Sequence, residues 1–210
     1  MSVDEIREMC DKSPILNTEE KQQLFELLRK YRPVFAKFPG LCKDFEFKAE
    51  MDTEEPLVSR VYPIPLQYRD KVREEIRKML DWDVIEPSAS KHLMPLLVVK
   101  KKDNSIRLCV DTRLANLHAT LPNLRVERIP DLLQKFRGKR YISSLDYISS
   151  FWQILLNQEC RDYFAFSFEG KLYRPKRVMF GTKFGISALN MCLDSVFDLT
   201  FSENVIRYAD

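Results

Sequence analysis

Apolar side chains recur along the chain with two different spacings, and each spacing indicates one type of element. Where they return every three or four residues, the pattern predicts amphipathic helices, because such positions share one face of a helix. These stretches are 17–31, 67–82, 129–136 and 187–201. Asn17 and Glu20 have the spacing of a capping box, so the first helix is expected to begin at Asn17.

Runs of alternating or continuous apolar residues mark the expected strands. They cover 45–49, 96–102, 106–111, 141–145 and 163–168, with further runs that start at 172 and 204. Short polar turns separate two pairs of these runs, which indicates two antiparallel hairpins. Helices interleaved with antiparallel hairpins predict an α+β fold and not a doubly wound parallel sheet.

The composition is that of a folded chain without zinc or thiol chemistry. Hydrophobic residues make up 45% of the 210 residues, which is enough for a core. Five scattered cysteines and two histidines offer no zinc-binding spacing and no surplus histidine for a catalytic base. The chain has no run of about 18 apolar residues that would indicate a membrane span. The charged N-terminus does not have the pattern of a signal peptide.

Charge is unevenly divided along the chain. Residues 1–58 carry 9 Lys+Arg and 13 Asp+Glu, a net charge of −4, whereas the remaining residues carry 25 and 18, a net charge of +7. A basic second part is typical of a protein that binds a polyanion. On charge alone, an ordinary mixed surface is the alternative.

Two aspartates, Asp146 and Asp210, follow apolar runs that are expected to be strands. Burying an unpaired carboxylate there is unfavourable. A Mg²⁺ ion relieves this, since it takes oxygen ligands from carboxylates and substrate phosphates. A solvated aspartate that opens a turn is the alternative.

Three lysines enter the turn of the first hairpin, and Arg107 follows on its second strand. If the strands pair, Lys101 or Lys102 is expected to project near Arg107. A lysine and an arginine together suit a triphosphate, one as a point charge and the other as a planar fork. An exposed turn kept soluble by lysines is the alternative.

Two aromatic residues, Phe151 and Trp152, follow Asp146 at short range. A ring at this distance from a metal-binding carboxylate is placed to pack against a sugar. Packing in the core is the alternative, and it is expected for at least one of the two rings.

In their order along the chain, these segments resemble the reverse transcriptase of gypsy-type LTR retrotransposons. The segments that carry the resemblance are VVKKKDNSIRLCVDTRLAN, IPDLLQKFRGKRYISSLDYISSFWQI, FGTKFGISALN and RYAD. Each motif alone is weakly specific, but their joint order is highly specific. The resemblance implies a right-hand polymerase fold with an antiparallel sheet in the palm. By analogy with the family, the parts are an N-terminal connector over 1–55, fingers over 56–121 and 154–184, and a partial palm over 122–153 and 185–210.

The resemblance also implies roles for individual residues. Asp146 and Asp210 match two of the three carboxylates that bind metal and support catalysis. Lys101 and Arg107 match residues of the fingers that grip the incoming triphosphate. Phe151 matches the aromatic gate that excludes a ribose 2′-hydroxyl.

Four further residues match family motifs near the nucleotide. Phe180 and Gly181 match the Phe-Gly of the nucleotide site, although Met179 stands where the family has proline. Arg113 and Asn116 match the Arg-x-x-Asn that follows the fingers hairpin.

The function implied by the resemblance is two-metal nucleotidyl transfer that extends a primer. It implies two Mg²⁺ ions, with Mn²⁺ as an alternative, deoxynucleoside triphosphates, and an RNA or DNA template with a primer. No membrane is implied. The rest of a Pol polyprotein, with thumb, ribonuclease H and integrase, is expected downstream. The expected location is intracellular, either cytoplasmic in a retrotransposon particle or nuclear.

The end of the chain at Tyr-x-Asp raises a further expectation, because the family has a second aspartate next. The expectation is a fragment of the polymerase that is cut at Tyr-x-Asp-Asp, lacks the thumb and is inactive by itself. One alternative is a non-catalytic remnant of a retroelement that binds nucleic acid or a partner. Another is an α+β domain with no nucleic-acid role.

Overall fold

The computed structural model describes residues 1–122, 128–140, 142–197 and 205–207. It divides the chain into two compact units, Met1–Gly40 and Leu41–Asp210. The first unit therefore ends inside the connector predicted over 1–55. The division of the second unit into fingers and palm stays a prediction.

The first unit is a pair of helices, α1 (Val3–Asp11) and α2 (Thr18–Lys30), followed by a 3₁₀ turn (Arg32–Val34). Each helix begins with a capping box, in which two backbone N–H groups that a helix leaves unpaired find side-chain acceptors. The capping box predicted at Asn17 is confirmed. The small core of this unit contains Ile6, Cys10 and Phe25.

The second unit combines short helices with short strands. Its helices are α3 (Arg69–Asp81), α4 (Arg113–His118), α5 (Ile129–Gln134), α6 (Gln158–Arg161) and α7 (Gly185–Val196). Its strands are β1 (Cys42–Phe47), β2 (Ile85–Pro87), β3 (Leu96–Lys100), β4 (Ile106–Val110), β5 (Ile154–Leu156), β6 (Phe166–Phe168) and β7 (Lys171–Pro175). Three 3₁₀ turns complete it: Leu66–Tyr68, Ser150–Gln153 and Asp162–Phe164.

The strands of the described residues form three small sheets. The orders are β1-β5, β2-β7-β6 and β3-β4. All pairs are antiparallel except β1 with β5. Both predicted hairpins are present, and the α+β class is confirmed. Within the described ranges, no helix has the length and apolar character needed to cross a bilayer.

Aromatic rings form the centre of the main core. Phe184 is fully buried and stacks on Phe47 with 5.0 Å between ring centroids. Phe164 meets Phe184 edge-on with 5.7 Å between ring centroids. The residue that precedes α7 is thus held between β1 and the turn before β6.

Charged side chains join β2 to β7 at the edge of this core. Glu86 and Arg174 are register partners, and Arg174 Nε donates to Glu86 Oε1 at 2.7 Å. Arg161, which is largely buried, donates through Nε to the Leu156 carbonyl at 2.7 Å and also reaches Glu86 at 3.4 Å. A buried guanidinium needs such partners, so this cluster is structural.

Two predicted strands differ from the structure. Ile142–Leu145 forms no strand and is exposed, so the strand predicted over 141–145 is wrong across these residues. A strand needs a neighbour for its backbone hydrogen bonds, and no described segment pairs with this one. Residues 205–207 of the run expected from 204 are also outside any strand. The remaining residues of that run, including Asp210, lie outside the described residues.

Replacing Phe184 by alanine should strongly destabilise the second unit, because it removes a fully buried ring and leaves a cavity. The expected loss in free energy of unfolding is about 3–5 kcal/mol. Urea unfolding followed by circular dichroism measures it. Phe184→Leu, which keeps most of the volume, should lose less than half as much. Equal midpoints for Phe184→Ala and the wild type would refute this description of the core.

The buried His92 predicts a loss of stability in acid. Its Nδ1 accepts a hydrogen bond from the Leu57 N–H at 3.1 Å, which requires that nitrogen to be unprotonated. Burial lowers the pKa of His92 below its ordinary value of 6.5, and the nearby Lys91 adds to this. The unfolded chain therefore binds the proton more readily, and the contribution of His92 to stability is lost as the pH falls below about 6.5.

Unfolding free energies at pH 7 and pH 5 should therefore differ more for the wild type than for His92→Asn. Asparagine offers an acceptor at the Nδ1 position but does not titrate. An unchanged pH dependence in this variant would contradict the role of His92.

Candidate active site

The β3–β4 hairpin brings one lysine of its turn onto the face of Arg107. Val99 pairs with Arg107, and the pairing continues to Lys101, whose N–H donates to the Ser105 carbonyl at 2.9 Å. Since residues two apart on a strand share a face, Lys101 lies on the same face as Arg107. Diagonal neighbours of this kind are about 7–8 Å apart, within reach of long side chains. Both are exposed.

The turn of this hairpin is held by side-chain hydrogen bonds. Asp103 Oδ1 accepts from the N–H and the hydroxyl of Ser105 at 3.0 and 2.6 Å, and these bonds lower the pKa of Asp103. Lys71 on α3 donates to the Asn104 carbonyl at 2.8 Å. Asn104 itself has a φ of 62°, which asparagine tolerates better than most residues.

Three aromatic rings, those of Phe151, Trp152 and Phe180, form a cluster in the candidate site. Phe151 meets Phe180 edge-on with 5.2 Å between centroids, and Trp152 does so at 5.7 Å. Phe180 is 40% exposed, so one side of it faces solvent. Trp152 also lies 6.4 Å from Trp82. Phe151 and Trp152 are both partly buried and pack against the main core, in agreement with the expectation for at least one of the two rings. Its indole N–H is buried with no hydrogen-bond partner in the described part of the chain.

Arg177 anchors the turn that carries Phe151 through hydrogen bonds to backbone carbonyls. This guanidinium is 5% exposed and donates to the carbonyls of Trp152 at 3.3 Å and Asp83 at 3.1 Å. Burial lowers the pKa of Arg177, and Asp83 opposes this effect. Gln153 adds a bond from Nε2 to the Ile148 carbonyl at 2.9 Å. Phe151 therefore stands on a turn with several fixed backbone groups.

The Phe180–Gly181 loop is bound by residues at the start of α4. The Gly181 carbonyl accepts from Thr112 Oγ1 and from Asn116 Nδ2, each at 2.8 Å. Asn116 Oδ1 accepts from the Lys183 N–H at 3.0 Å. Gly181 has a φ of +91°, which favours glycine, and a Cβ built on it would be 3.5 Å from the Thr112 hydroxyl. The family resemblance had pointed to Asn116, but the part played by Thr112 was missed.

Arg113 is paired with the carboxylate just before it in the chain. Its Nε and Nη2 lie 2.8 and 2.6 Å from Asp111, and Arg113 lowers the pKa of that carboxyl group. The two line a groove of about 380 Å³ together with Arg60 and Tyr62. Arg113 thus stabilises a largely buried acid while leaving most of its own side chain in solvent.

Asp146 lies in the exposed segment that follows α5. It is exposed and makes no ion pair or hydrogen bond within the described ranges. Burial raises the pKa of the adjacent Tyr147, and Arg207 lies near enough to oppose this effect. Arg207 also pairs with Asp194 of α7 at 2.5 Å. The described residues contain no cluster of three potential metal ligands, and Asp210 lies outside them.

The structure thus joins one group of the expected site residues through direct contacts. Phe151 contacts Phe180, and the loop of Phe180 and Gly181 contacts Asn116. The strand that carries Arg107 ends at Val110, two residues before Thr112. The hairpin therefore leads directly into the residues that bind the loop.

Comparisons with known proteins show the family of the chain. Residues 99–210, more than half of the chain, match the family model described as "Reverse transcriptase (RNA-dependent DNA polymerase)". The chain is 27% identical over 199 residues to the retrovirus-related Pol polyprotein from transposon 412 of Drosophila melanogaster, covering 90% of the chain and 16% of the polyprotein. It is 30% identical over 162 residues to that from transposon gypsy of the same organism, covering 74% of the chain and 16% of the polyprotein.

A solved structure of the foamy viral protease-reverse transcriptase in complex with dsDNA has the same fold. The TM-score is 0.78 at 23% identity, and the match covers 95% of this chain and 41% of the viral one. The chain thus spans less than half the length of each relative and structure named here. The match of the family model and the shared polymerase fold lead to one conclusion: the chain belongs to the reverse transcriptase (RNA-dependent DNA polymerase) family.

Proposed function

We propose that this chain provides the nucleotide-binding and catalytic part of an RNA-directed DNA polymerase. In this role it would bind a template–primer and a deoxynucleoside triphosphate and extend the primer. One observation carries the proposal beyond the family match. The hairpin that presents Lys101 and Arg107 continues into Thr112 and Asn116, which hold the Phe180–Gly181 loop against Phe151.

Lys101 and Arg107 are proposed to bind the triphosphate. They extend from one face of a hairpin whose other face is anchored in the core by Leu96, Ile106 and Val110. A rigid base with two long cationic side chains suits an anion with several oxygens, since arginine binds them as a fork and lysine as a point charge.

Phe151, Phe180 and Gly181 are proposed to line the sugar end of the nucleotide. Phe151 is the ring that we propose to exclude a 2′-hydroxyl. Its edge-on contact with Phe180 and the anchored turn beneath it support this role, because a steric wall must resist displacement.

Reverse transcriptases use divalent metal ions, and Asp146 and Asp210 are the proposed ligands in this chain. Mg²⁺ is the proposed ion, with Mn²⁺ as the alternative, and two ions are expected. The exposed carboxylate of Asp146 offers the hard oxygen ligands that such ions prefer. Ions held by these two aspartates would supply activation of the primer hydroxyl and neutralisation of phosphate charge.

A nucleic-acid partner and further polyprotein domains are also proposed. The net charge of +7 after residue 58 supports binding to a template–primer, as do the foamy viral complexes with dsDNA and with an RNA/DNA hybrid. The named relatives are Pol polyproteins, which supports a thumb, ribonuclease H and integrase as further parts of the working protein. We propose fingers at 56–121 and 154–184 and palm at 122–153 and 185–210.

The five cysteines are free thiols, which suits a reducing compartment. We therefore propose an intracellular location, either the cytoplasm within a retrotransposon particle or the nucleus.

Asp146→Asn should abolish most primer extension while leaving template–primer binding intact. Losing one preorganised charge at the reacting centre should reduce the rate by about 10²–10³-fold. The assay is Mg²⁺-dependent extension on an RNA template. It uses the chain alone and the chain joined to the segment that follows the matched region in the gypsy polyprotein.

Extension by the wild type that Asp146→Asn lacks supports the proposal. Binding without extension in both forms would instead favour a non-catalytic role in nucleic-acid binding. If the protein neither binds the template–primer nor extends it, the proposed function is refuted.

Lys101→Ala should weaken triphosphate binding, whereas Lys102→Ala should have little effect. The two lysines are adjacent, exposed and equal in charge, but Lys101 is the one that shares the face of Arg107. Loss of a charged hydrogen bond should raise the Kd for dATP by about tenfold or more. The measurement is the dATP concentration that stabilises the complex with a dideoxy-terminated primer. Equal effects of the two substitutions would show that charge alone matters.

A further inference from the structure

The hydroxyl of Thr112 serves the Phe180–Gly181 loop and not its own helix. Thr112 occupies the N-cap position of α4, where a threonine side chain commonly accepts a hydrogen bond from the first turn. No such bond forms. Instead the hydroxyl, on a residue that is 2% exposed, donates to the Gly181 carbonyl at 2.8 Å. The side chain at this N-cap position therefore bonds to a residue that is 69 positions away in the sequence.

Asn116 uses both ends of its amide on the same loop. Nδ2 donates to the Gly181 carbonyl and Oδ1 accepts from the Lys183 N–H, at 2.8 and 3.0 Å. Nδ2 also lies 3.2 Å from Thr112 Oγ1, so the two side chains form one hydrogen-bonded unit. This unit fixes a carbonyl and an N–H on either side of Thr182.

Phe180 immediately precedes Gly181, whose carbonyl Thr112 and Asn116 bind. The other end of the loop is closed by Thr182, whose hydroxyl donates to the Met179 carbonyl at 2.9 Å. Phe180 thus stands between two fixed carbonyls, and its ring leans edge-on against Phe151. Because 40% of Phe180 is exposed, burial alone does not hold it, and its position depends on the hydrogen bonds that hold its backbone.

We infer that Thr112 and Asn116 are positioning residues for sugar discrimination: by holding the Gly181 carbonyl, they keep Phe180 in place behind Phe151. This inference rests on the proposed function. A ring that excludes a 2′-hydroxyl must keep its position when the nucleotide presses against it. Small displacements of groups that position a substrate can change the reaction rate strongly. The same unit links the sugar end of the site to β4, which carries Arg107.

The test compares dATP with ATP as the next nucleotide on a dideoxy-terminated template–primer with Mg²⁺. The readout is the ratio of the Kd for ATP to the Kd for dATP, which a general loss of stability would not change. Asn116→Ala and Thr112→Val should lower this ratio by about threefold to tenfold, the effect expected for one or two hydrogen bonds. Thr112→Ser keeps the hydroxyl and should retain the wild-type ratio.

Asn157→Ala is the matched control. Asn157 also bonds to backbone, as the N-cap of α6, so its loss should cost similar stability without touching the loop. Thermal unfolding of each variant verifies that it is folded. If Asn116→Ala does not fold, the Thr112→Val and Thr112→Ser pair decides the question, because valine matches threonine in shape.

The Phe180→Ala background gives the sharpest readout. If Asn116 acts through Phe180, Asn116→Ala should lower the ratio no further once that ring is gone. If the ratio changes no more in Asn116→Ala and Thr112→Val than in Asn157→Ala, the inference is overturned. The proposed function would stand in that case, because dATP binding would be retained. Absence of dATP binding by the wild type would overturn both.

Discussion

The burial of Phe184 between Phe47 and Phe164 is the constraint on which the candidate site depends. The stacked and edge-on contacts fix Phe184, the residue that precedes α7, and the Ala188 N–H then bonds to the Phe184 carbonyl at 2.8 Å. The loop of Phe180 and Gly181 lies just before this point. One end of that loop is therefore attached to the core, and an exposed ring can be held near the surface without being buried itself.

Polar contacts complete what aromatic packing begins. Arg177 reaches the backbone beneath Phe151 from inside the core, and Thr112 with Asn116 reaches the backbone after Phe180 from α4. Each donor or acceptor is directed at a main-chain group, so each restrains a loop and not a single side chain. Loops restrained in this way can present functional groups at defined positions while remaining open to solvent.

The hairpin of β3 and β4 shows how charge and packing are divided between two faces. Leu96, Ile106 and Val110 anchor one face, which leaves Arg107 and Lys101 to extend from the other. The lysines on this hairpin need no ion pair to be stable, since they lie in water at the turn. The position of Lys101 on the same face as Arg107 follows from the alternation of side chains along the strands.

The sequence by itself determined the elements that local patterns encode: the capped helix from Asn17, the two hairpins, and the α+β class. Through the joint order of its motifs it also pointed to the family and to residues such as Lys101, Arg107 and Phe151. It gave a wrong strand at 142–145, where no segment of the described chain accepts the hydrogen bonds that a strand needs. Only the tertiary structure decided which lysine shares the face of Arg107, and it alone revealed the hydrogen bond between Thr112 and Gly181. That threonine meets Gly181 across 69 residues of sequence, and no local periodicity records a hydrogen bond formed by the packing of distant segments.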